Sequence, residues 1–363
     1  MSLVDYTRTN RPVFDIDLDA PPYERWAEVG RRNRAKLARF MRDIEAMSHE
    51  LVDNLVDRSP DWFPESLRRM SKSILKPLLA GASRLTGKLG AQVARSFGED
   101  YADEIRGLAH TSGLPESKLF LANLTYDVSV ELERRSSACS SFSVVVGGAP
   151  VLVRNMDWAR PESTGRFTVM TRFHQGDASY VNIAPLGCVG VLSAMRVGAW
   201  AVTLNQASPT GPLRIPQWPV MHRIRKACDT SLTFSSLVRQ LTEMETMSPF
   251  FAHVVGTKPN QQVVVEGTSE AFLKRRAKPG RPIIQTNHFV HSSHRHHNGP
   301  DWQGRDCEIC DRYAALEQRL RRKPKDFADA FSRIRGQPVT HSETMNQMAL
   351  RPADGRATVR VRN

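Results

Sequence analysis

The sequence lacks the compact motifs by which several enzyme classes are recognised. It contains no Gly-x-Ser-x-Gly, no His-Glu-x-x-His and no Gly-x-Gly-x-x-Gly. These patterns place a serine nucleophile, a zinc ion and a dinucleotide phosphate, respectively. Their absence argues against serine hydrolases of that type, zinc proteases and nucleotide-binding enzymes. The sequence also has no run of about 18 apolar residues, so we expect no membrane-spanning helix.

Cysteine is scarce, and the few cysteines are scattered. They number five and stand at positions 139, 188, 228, 307 and 310. An odd, scattered set fits a reducing compartment better than a disulfide framework. The first residues, Met1 to Tyr6, contain neither the basic nor the apolar segment of a secretory signal. We therefore expect a cytoplasmic protein.

Positive charge is in excess, because 51 Lys and Arg residues stand against 38 Asp and Glu residues, a formal net charge of +13. Such an excess is typical of proteins that meet nucleic acid or anionic membranes. Between Pro64 and Ser96, seven basic residues accompany one acid, Glu65. Apolar residues recur there at helical spacing, which predicts a basic amphipathic segment that contacts an anionic membrane peripherally. The alternative is a core-facing helix with a solvated basic face. No nucleic-acid motif is present, so we expect no nucleic-acid partner.

The chain changes character at Cys139. The residues before it predict a largely helical segment, apart from an extended start over residues 1 to 25. After it, short runs rich in Val and Leu predict strands, beginning with a hairpin around Gly147-Gly148. Strands, helices, strands and helices then follow one another. This order predicts an α+β fold with antiparallel sheets and helices layered outside them.

Cys139 is the candidate nucleophile. It heads an apolar run, Phe142 to Val146, and a thiol acts as a nucleophile once a base has removed its proton. A cut just before Cys139 would free an α-amine that titrates near neutrality and could be that base. Arg154 could then stabilise the thiolate, and Asp157 could accept a hydrogen bond from the amine. The alternative is a structural cysteine buried at the start of a strand.

These residues carry a resemblance to a known family. Cys139-Ser140-Ser141-Phe142, followed by Arg154-Asn155-Met156-Asp157, is similar to the maturation site of the acid ceramidase and N-acylethanolamine acid amidase family. These are N-terminal nucleophile hydrolases related to the choloylglycine hydrolases. Other similar segments follow in the family's order along nearly the whole chain, namely Pro12–Pro22, Glu104–Gly107, Leu119–Tyr126, Gln285–His288 and Thr358–Asn363. The resemblance implies a four-layer αββα sandwich preceded by a largely helical segment.

The resemblance also implies self-cleavage before Cys139. An α chain of residues 1–138 and a β chain of residues 139–363 would then remain associated. It implies hydrolysis of lipid-like N-acyl amides through an acyl thioester on Cys139, with no cofactor and no catalytic metal. A penicillin or bile-salt acylase, or an acyltransferase, would use the same chemistry, and these alternatives stay open.

Three further residues are candidate catalytic groups. Asn205 ends an apolar strand, as a similar Leu-Asn does in choloylglycine hydrolases, and its amide could donate to an oxyanion. The acid amidases have an Asp-Glu pair where this chain has Asn205-Gln206, which puts maturation triggered by a protonating carboxylate in doubt. Asn287 is the second candidate oxyanion donor. Arg312 matches the family's late arginine, with Arg305 as its rival.

A competing signal lies in the same region. Five histidines from His288 to His297 are followed by Cys307-Glu308-Ile309-Cys310. Histidines together with Cys-x-x-Cys can bind zinc, although a single such pair is a weak signature. An exposed histidine-rich loop is the plainer interpretation. A zinc site here would be structural, and it would suit the alternative of a non-enzymatic basic protein that binds membranes or nucleic acid.

Overall fold

Two stacked β-sheets form the centre of the protein, and helices cover their outer faces. The computed structural model describes residues 13–57, 94–132, 139–158, 164–211, 214, 217–243, 245–268, 271–298 and 307–361. Most of the basic stretch 64–96 and the segment 133–138 before Cys139 therefore lie outside the described residues. Among the described helices, none is both long enough and apolar enough to cross a membrane.

Helices predominate before Cys139, as the sequence predicts, and occur in two later pairs. In the described part of the chain the α-helices are α1 (Ala27–Arg32), α2 (Arg34–Asp57), α3 (Glu99–Ser112), α4 (Glu116–Asn123), α5 (Thr125–Leu132), α6 (Val220–Thr230), α7 (Phe234–Thr242), α8 (Glu308–Leu320) and α9 (Phe327–Ser332). Single 3₁₀ turns lie at Pro22–Glu24 and Arg295–His297. Local sequence sets several ends: α3 has two acidic residues in its first turn and stops at Gly113, whose φ is 69°.

Strands predominate after Cys139, and β1 is the one described strand that precedes it. In the described residues they are β1 (Val13–Asp17), β2 (Ser140–Val146), β3 (Ala149–Asp157), β4 (Thr168–Gln175), β5 (Ala178–Pro185), β6 (Ser193–Arg196), β7 (Trp200–Gln206), β8 (Phe250–Val255), β9 (Gln262–Gly267), β10 (Phe272–Arg276), β11 (Ile283–Gln285), β12 (Thr344–Arg351) and β13 (Arg356–Val361). The predicted hairpin joins β2 to β3. Its turn is formed by Gly147 and Gly148, whose positive φ values of 54° and 81° favour glycine.

Two details of the strand pattern differ from the sequence-based expectation. Residues 189–194 form a largely apolar run that predicts a strand, but the strand begins only at Ser193. Gly190 instead approaches helix α6 so closely that an added Cβ would lie 2.6 Å from the Cβ of Met221. The sequence does not predict β12, because Thr344 is the single β-branched residue among its eight.

The larger sheet has eight strands in the order β1-β4-β5-β6-β7-β8-β9-β10, and the smaller has five in the order β11-β2-β3-β12-β13. Neighbouring strands are antiparallel, as predicted, except that β1 runs parallel to β4. Because β1 precedes Cys139 and β4 follows it, the two predicted chains share one sheet. The facing sides of the sheets bury apolar side chains, including Leu152, Met170, Ile183 and Met348.

The outer faces of both sheets are covered by helices. Helix α7 packs on β8, β9 and β10 of the larger sheet, whereas α8 and α9 pack on strands of the smaller one. The helices before Cys139 join α6 and α7 in one apolar cluster on the side of the larger sheet. The order helix, sheet, sheet, helix is the predicted αββα sandwich, so the α+β prediction is confirmed.

A buried ion cluster joins the segments on either side of Cys139. Glu104 of α3 is fully buried and accepts hydrogen bonds from Arg25 at 2.9 Å and Trp26 at 2.7 Å. It also pairs with the fully buried Arg225 of α6 at 3.2 Å, and Arg225 pairs with Asp229 at 3.0 Å. A buried ion pair that loses one partner leaves an uncompensated charge. The cluster therefore ties the predicted α chain to the predicted β chain.

Candidate active site

The β2–β3 hairpin assembles the first candidate residues. Cys139 stands immediately before β2, and the register of the hairpin pairs Ser140 with Asn155 and Ser141 with Arg154. Residues distant in sequence thus meet at the open end of the hairpin. The Cys139 side chain is 6% exposed, and its Sγ lies 3.6 Å from Nη2 of Arg154 and 4.0 Å from the backbone oxygen of Asp157.

Arg154 presents a fixed positive charge to the thiol. Its side chain is buried, and Nη1 donates to Ser193 Oγ at 2.7 Å while Nη2 donates to the Leu204 carbonyl. These contacts from β6 and β7 hold the planar guanidinium in one orientation. A guanidinium beside sulfur favours the thiolate form. This placement suits the role predicted for Arg154, which stays a prediction.

Asp157 is a buried carboxylate with few partners. Its side chain is fully buried, and Oδ2 lies 3.2 Å from Nε2 of His341. Apart from that contact, neither carboxylate oxygen accepts a hydrogen bond from a described residue. A buried charge without hydrogen bonds is costly. Asp157 could therefore accept a hydrogen bond from a donor such as the α-ammonium group that cleavage would create.

His341 is a site residue that the sequence does not reveal. It lies just before β12, the strand that the sequence also fails to predict. The Asp157 carboxylate raises the pKa of His341 above its usual value, although partial burial acts in the opposite direction. No motif surrounds His341, so only its position in the fold connects it with Cys139.

Arg312 reaches the nucleophile from helix α8. Nη1 donates to the backbone oxygen of Cys139 and to Ser140 Oγ, both at 2.9 Å, and Nη2 donates to Asn287 Oδ1 at 3.1 Å. The structure therefore brings Arg312 to Cys139. Its rival, Arg305, lies outside the described residues.

The two candidate oxyanion donors lie near the site but point elsewhere. Asn205 Nδ2 donates to the backbone oxygens of Gln285 at 3.1 Å and Thr286 at 3.4 Å. Asn287 Nδ2 donates to the Gln206 backbone oxygen at 2.9 Å. Both amide groups are thus engaged with backbone carbonyls, and their oxyanion roles stay predictions.

A cavity of about 30 Å³ opens beside the thiol. Its walls combine residues from before and after Cys139, and they include Tyr126, Ser129, Arg154, Asp157, Trp158, Leu192 and Gln206. Gln206 is 8% exposed, and its Nε2 has no hydrogen-bond partner among the described residues. An amide donor without a partner among the described residues therefore lines the wall beside the thiol.

A second cavity, of about 20 Å³, adjoins the first and is mostly apolar. The two share Trp158 and Leu192 in their walls. Phe40 and Ile44 from α2 and Met221 from α6 line the far part. Apolar space thus continues from the thiol toward the helices that precede Cys139.

The histidine- and cysteine-rich region does not form a metal site in the described residues. Cys307 and Cys310 form a disulfide at the start of α8, whereas Cys139, Cys188 and Cys228 are free. The bond joins near neighbours and leaves distant segments unlinked. No group of three or more His, Cys, Asp or Glu side chains in the described ranges is placed to hold a metal ion. His294 and His297 instead pack against Phe289.

Family models match two parts of the chain. The model described as acyl-coenzyme A:6-aminopenicillanic acid acyl-transferase matches residues 145–347. The model described as the beta subunit of N-acylethanolamine-hydrolyzing acid amidase matches residues 9–80. The second match lies in the segment before Cys139. That segment is called the α chain here because it comes first along the chain, so its label differs from the subunit name in the family model. The two matches fall on opposite sides of Cys139.

Two curated proteins are similar over most of the chain. The N-acylethanolamine-hydrolyzing acid amidase of Caenorhabditis elegans is 24% identical over 69% of this chain and 66% of its own length. Human acid ceramidase is 22% identical over 76% of this chain and 69% of its own length. The match thus spans about two thirds of each relative. The family resemblance predicted from the sequence is confirmed. The prediction of an enzyme that hydrolyses amides is also confirmed, at the level of the family.

A solved structure has a similar fold. The Caenorhabditis elegans N-acylethanolamine-hydrolyzing acid amidase ortholog superposes with a TM-score of 0.51 at 20% identity. The match covers 61% of this chain and 99% of the solved chain. It supports the sandwich architecture independently of the sequence motifs.

Proposed function

Because the chain belongs to the family described as acyl-coenzyme A:6-aminopenicillanic acid acyl-transferase, we propose that it is a self-processing cysteine amidase of the N-terminal nucleophile type. One observation carries the proposal. The Cys139 thiol lies 3.6 Å from the Arg154 guanidinium, beside a buried Asp157 carboxylate that lies 3.2 Å from His341 and accepts no hydrogen bond from a described residue. A thiol, a cation and a site for an amine are the parts that this chemistry needs.

The first step is cleavage of the chain itself. The Cys139 thiolate attacks the carbonyl carbon of Ala138, the bond from that carbon to the Cys139 nitrogen breaks, and the nitrogen takes up a proton. Water then hydrolyses the resulting thioester, which yields the Ala138 carboxylate and regenerates the thiol. The products are an α chain, 1–138, and a β chain, 139–363, whose Cys139 carries a free α-amine.

The matured site then hydrolyses amides. The α-amine takes the thiol proton, and the thiolate attacks the substrate carbonyl beside Arg154. The α-ammonium group, held by Asp157, returns the proton to the leaving amine. Water, deprotonated by the same α-amine, releases the acyl group from Cys139. No cofactor takes part in these steps.

Asn205 and Asn287 are the proposed donors to the tetrahedral oxyanion. In the intact chain their amide groups donate to backbone oxygens, so each has to turn toward the cavity after cleavage. In the intact chain Arg312 contacts both the Cys139 backbone oxygen and Asn287 Oδ1. Its proposed role is to keep the nucleophile and the second donor at a fixed separation.

Lipid-like N-acyl amides are the proposed substrates. The apolar cavity that adjoins the thiol cavity, with Phe40, Ile44 and Met221 in its wall, is the proposed entry for an acyl chain. At about 20 Å³ it has room for about one water molecule, so it has to widen when the chain binds. Burial of apolar surface favours such binding by about 25 cal/mol per Å². The names of the relatives, an acid amidase for N-acylethanolamines and an acid ceramidase, point to the same substrate class.

The α and β chains are proposed to remain together after the cut. Strand β1 of the α chain hydrogen-bonds with β4 of the β chain. The fully buried Glu104–Arg225 pair also bridges the two chains. Separation would expose a sheet edge and leave both charges unpaired.

Cytoplasmic location with peripheral membrane contact is the proposed setting. Lipid amides partition into membranes, and the seven basic residues between 64 and 96 would attract an anionic surface. Flotation with anionic and with neutral vesicles tests this contact. Equal binding to both, or binding to neither, would contradict the electrostatic attraction.

The intact mass of the purified protein tests the proposed function. The expected result is two polypeptides that meet between Ala138 and Cys139, together with a single uncut chain for Cys139→Ala. A matched Cys228→Ala variant should mature normally, since this free cysteine lies elsewhere in the core. A wild-type chain that stays uncut from acidic to alkaline pH would rule out the self-processing nucleophile.

Acyl transfer is the second candidate function. The family model that matches residues 145–347 is described as an acyltransferase, and an acyl thioester can react with an amine as well as with water. A matured enzyme given an N-acyl amide together with a second amine distinguishes the two outcomes. Free fatty acid alone indicates hydrolysis, whereas a new amide indicates transfer.

A further inference from the structure

The intact chain has no free α-amine at Cys139, so the first cleavage needs another acceptor for the thiol proton. The buried groups beside the thiol limit which side chain can be this proton acceptor. Arg154 carries a fixed positive charge, Gln206 cannot ionise, and burial raises the pKa of Tyr126 well above its usual value. Asp157 is the remaining ionisable side chain, apart from Cys139 itself, among the described residues that line the thiol cavity.

His341 is the sole described residue that contacts the Asp157 carboxylate. Its Nε2 lies 3.2 Å from Oδ2, and its side chain is 22% exposed whereas that of Asp157 is fully buried. The imidazole therefore lies between the buried carboxylate and solvent. It can exchange protons with water, whereas the carboxylate has no solvent-exposed surface.

The position of His341 is built into the turn that precedes β12. Its backbone N–H donates to Thr344 Oγ1 and its backbone oxygen accepts from the Thr344 N–H, both at 3.1 Å. The turn is attached to the end of β3, because the Trp158 N–H donates to the Glu343 oxygen at 3.0 Å. Ring Nδ1 accepts from the Glu343 N–H at 3.3 Å. A neutral ring then carries its proton on Nε2, which faces Asp157.

Three charged groups face the His341 ring. Asp157 from β3 and Glu343 from its own turn favour the imidazolium, while Arg312 from α8 opposes it. The net effect raises the pKa of His341 above its usual value. The ring is therefore charged under mildly acidic conditions, and it becomes neutral as the pH rises.

We propose that His341 is a positioning residue that controls self-cleavage through the charge it presents to Asp157, an inference that rests on the proposed function. A charged His341 holds Asp157 as its counter-ion. A neutral His341 frees Asp157 to take the proton from Cys139 Sγ and to return it to the Cys139 nitrogen as the Ala138–Cys139 bond breaks. The proton is conserved in this step, and the thioester then reacts with water. Maturation therefore accelerates with rising pH.

Two variants with opposite fixed charge test this role. His341→Gln keeps a neutral side chain of similar reach, and we expect fast cleavage that no longer varies between pH 5.5 and 8.5. His341→Lys keeps a positive charge throughout this range, and we expect cleavage about tenfold slower than that of the wild type at pH 8. The chains are made by cell-free synthesis, shifted to each pH, and followed by the loss of uncut mass.

The pH profile separates this role from a structural one. If His341 only stabilises the turn, both variants cleave more slowly by one factor at every pH and keep the wild-type profile, which would overturn the inference. Coincident profiles for all three proteins would overturn it as well. A wild-type chain that never cleaves, or a Cys139→Ala chain that does, refutes the proposed function instead. Thermal unfolding of each uncut chain identifies a variant that fails to fold, and His341→Asn then replaces His341→Gln.

Discussion

The Cys139 thiol lies 3.6 Å from the Arg154 guanidinium, although 15 positions separate the two residues. A two-glycine turn reverses the chain between them, and the register of β2 and β3 determines which side chains meet. Ser193 and the Leu204 carbonyl then fix the guanidinium from a different sheet. The contact therefore depends on the stacking of both sheets.

Loss of the Arg154 charge should make the thiol less reactive. We expect Arg154→Met in a Cys188→Ala, Cys228→Ala background to react with iodoacetamide at pH 7 about tenfold more slowly, equivalent to about 1.4 kcal/mol in the barrier. Mass spectrometry of the Cys139 peptide measures the rate. Arg154→Lys is the matched control, because it keeps the charge and should retain most of the reactivity. Equal rates for Met and Lys would show that the charge does not act on the sulfur.

Loss of the Glu104 charge should weaken the link between the two segments. Glu104→Gln leaves the buried Arg225 with Asp229 as its remaining carboxylate partner, and we expect a loss of about 3 kcal/mol in the free energy of unfolding. Urea denaturation measures it. Glu28→Gln removes an exposed ion pair with Arg32 and should cost under about 1 kcal/mol. Similar losses for the two variants would contradict the proposed importance of the buried cluster.

A larger side chain in the apolar cavity should shorten the preferred acyl chain. Ala122 lines that cavity, and we expect Ala122→Phe to lower kcat/KM for a long-chain amide about tenfold or more while a short-chain amide is spared. Ala328→Phe is the control, since Ala328 is exposed on α9. A uniform loss for both substrates would place the acyl chain elsewhere.

Buried histidines should make the fold sensitive to acid. Burial lowers the pKa of His222, His253 and His288 to about 3. The unfolded chain then binds more protons than the folded one below about pH 6.5, so stability falls as the pH decreases from 6.5 toward 3. Each histidine contributes about 1.4 kcal/mol per pH unit. Asp127, whose pKa burial raises to about 7, acts in the opposite direction over part of this range.

His222→Phe isolates one of these contributions. His222 packs against Phe97 and Tyr101, and neither ring nitrogen has a hydrogen-bond partner among the described residues. We expect the variant to fold and to lose about 1.4 kcal/mol less than the wild type for each pH unit of acidification below 6. Urea titrations at pH 6 and pH 5 measure the difference. An unchanged pH slope would mean that His222 is not buried in its neutral form.

Local patterns predicted the nucleophile hairpin, since Cys139, Arg154 and Asp157 lie on one β-hairpin with a glycine turn. Arg312 required the family resemblance, because its helix reaches the site from a distant part of the chain. Neither local patterns nor the family resemblance predicted His341 or β12. The sequence of β12 has little strand character, and its position follows from pairing with β3 and β13. The orientation of the Asn205 amide likewise depends on contacts between sheets.

The parallel pairing of β1 with β4 determines how the protein would refold before and after a cut at Cys139. Before cleavage, the strand and its partner belong to one molecule, so folding is a unimolecular process that is independent of concentration. After a cut at Cys139, the denatured protein would be two separate polypeptides, and refolding would become a second-order encounter. Dilution would then slow recovery of the matured form and leave the precursor unaffected. A protein cleaved in this way would be assembled once, as a precursor, and its later denaturation would be effectively irreversible at low concentration.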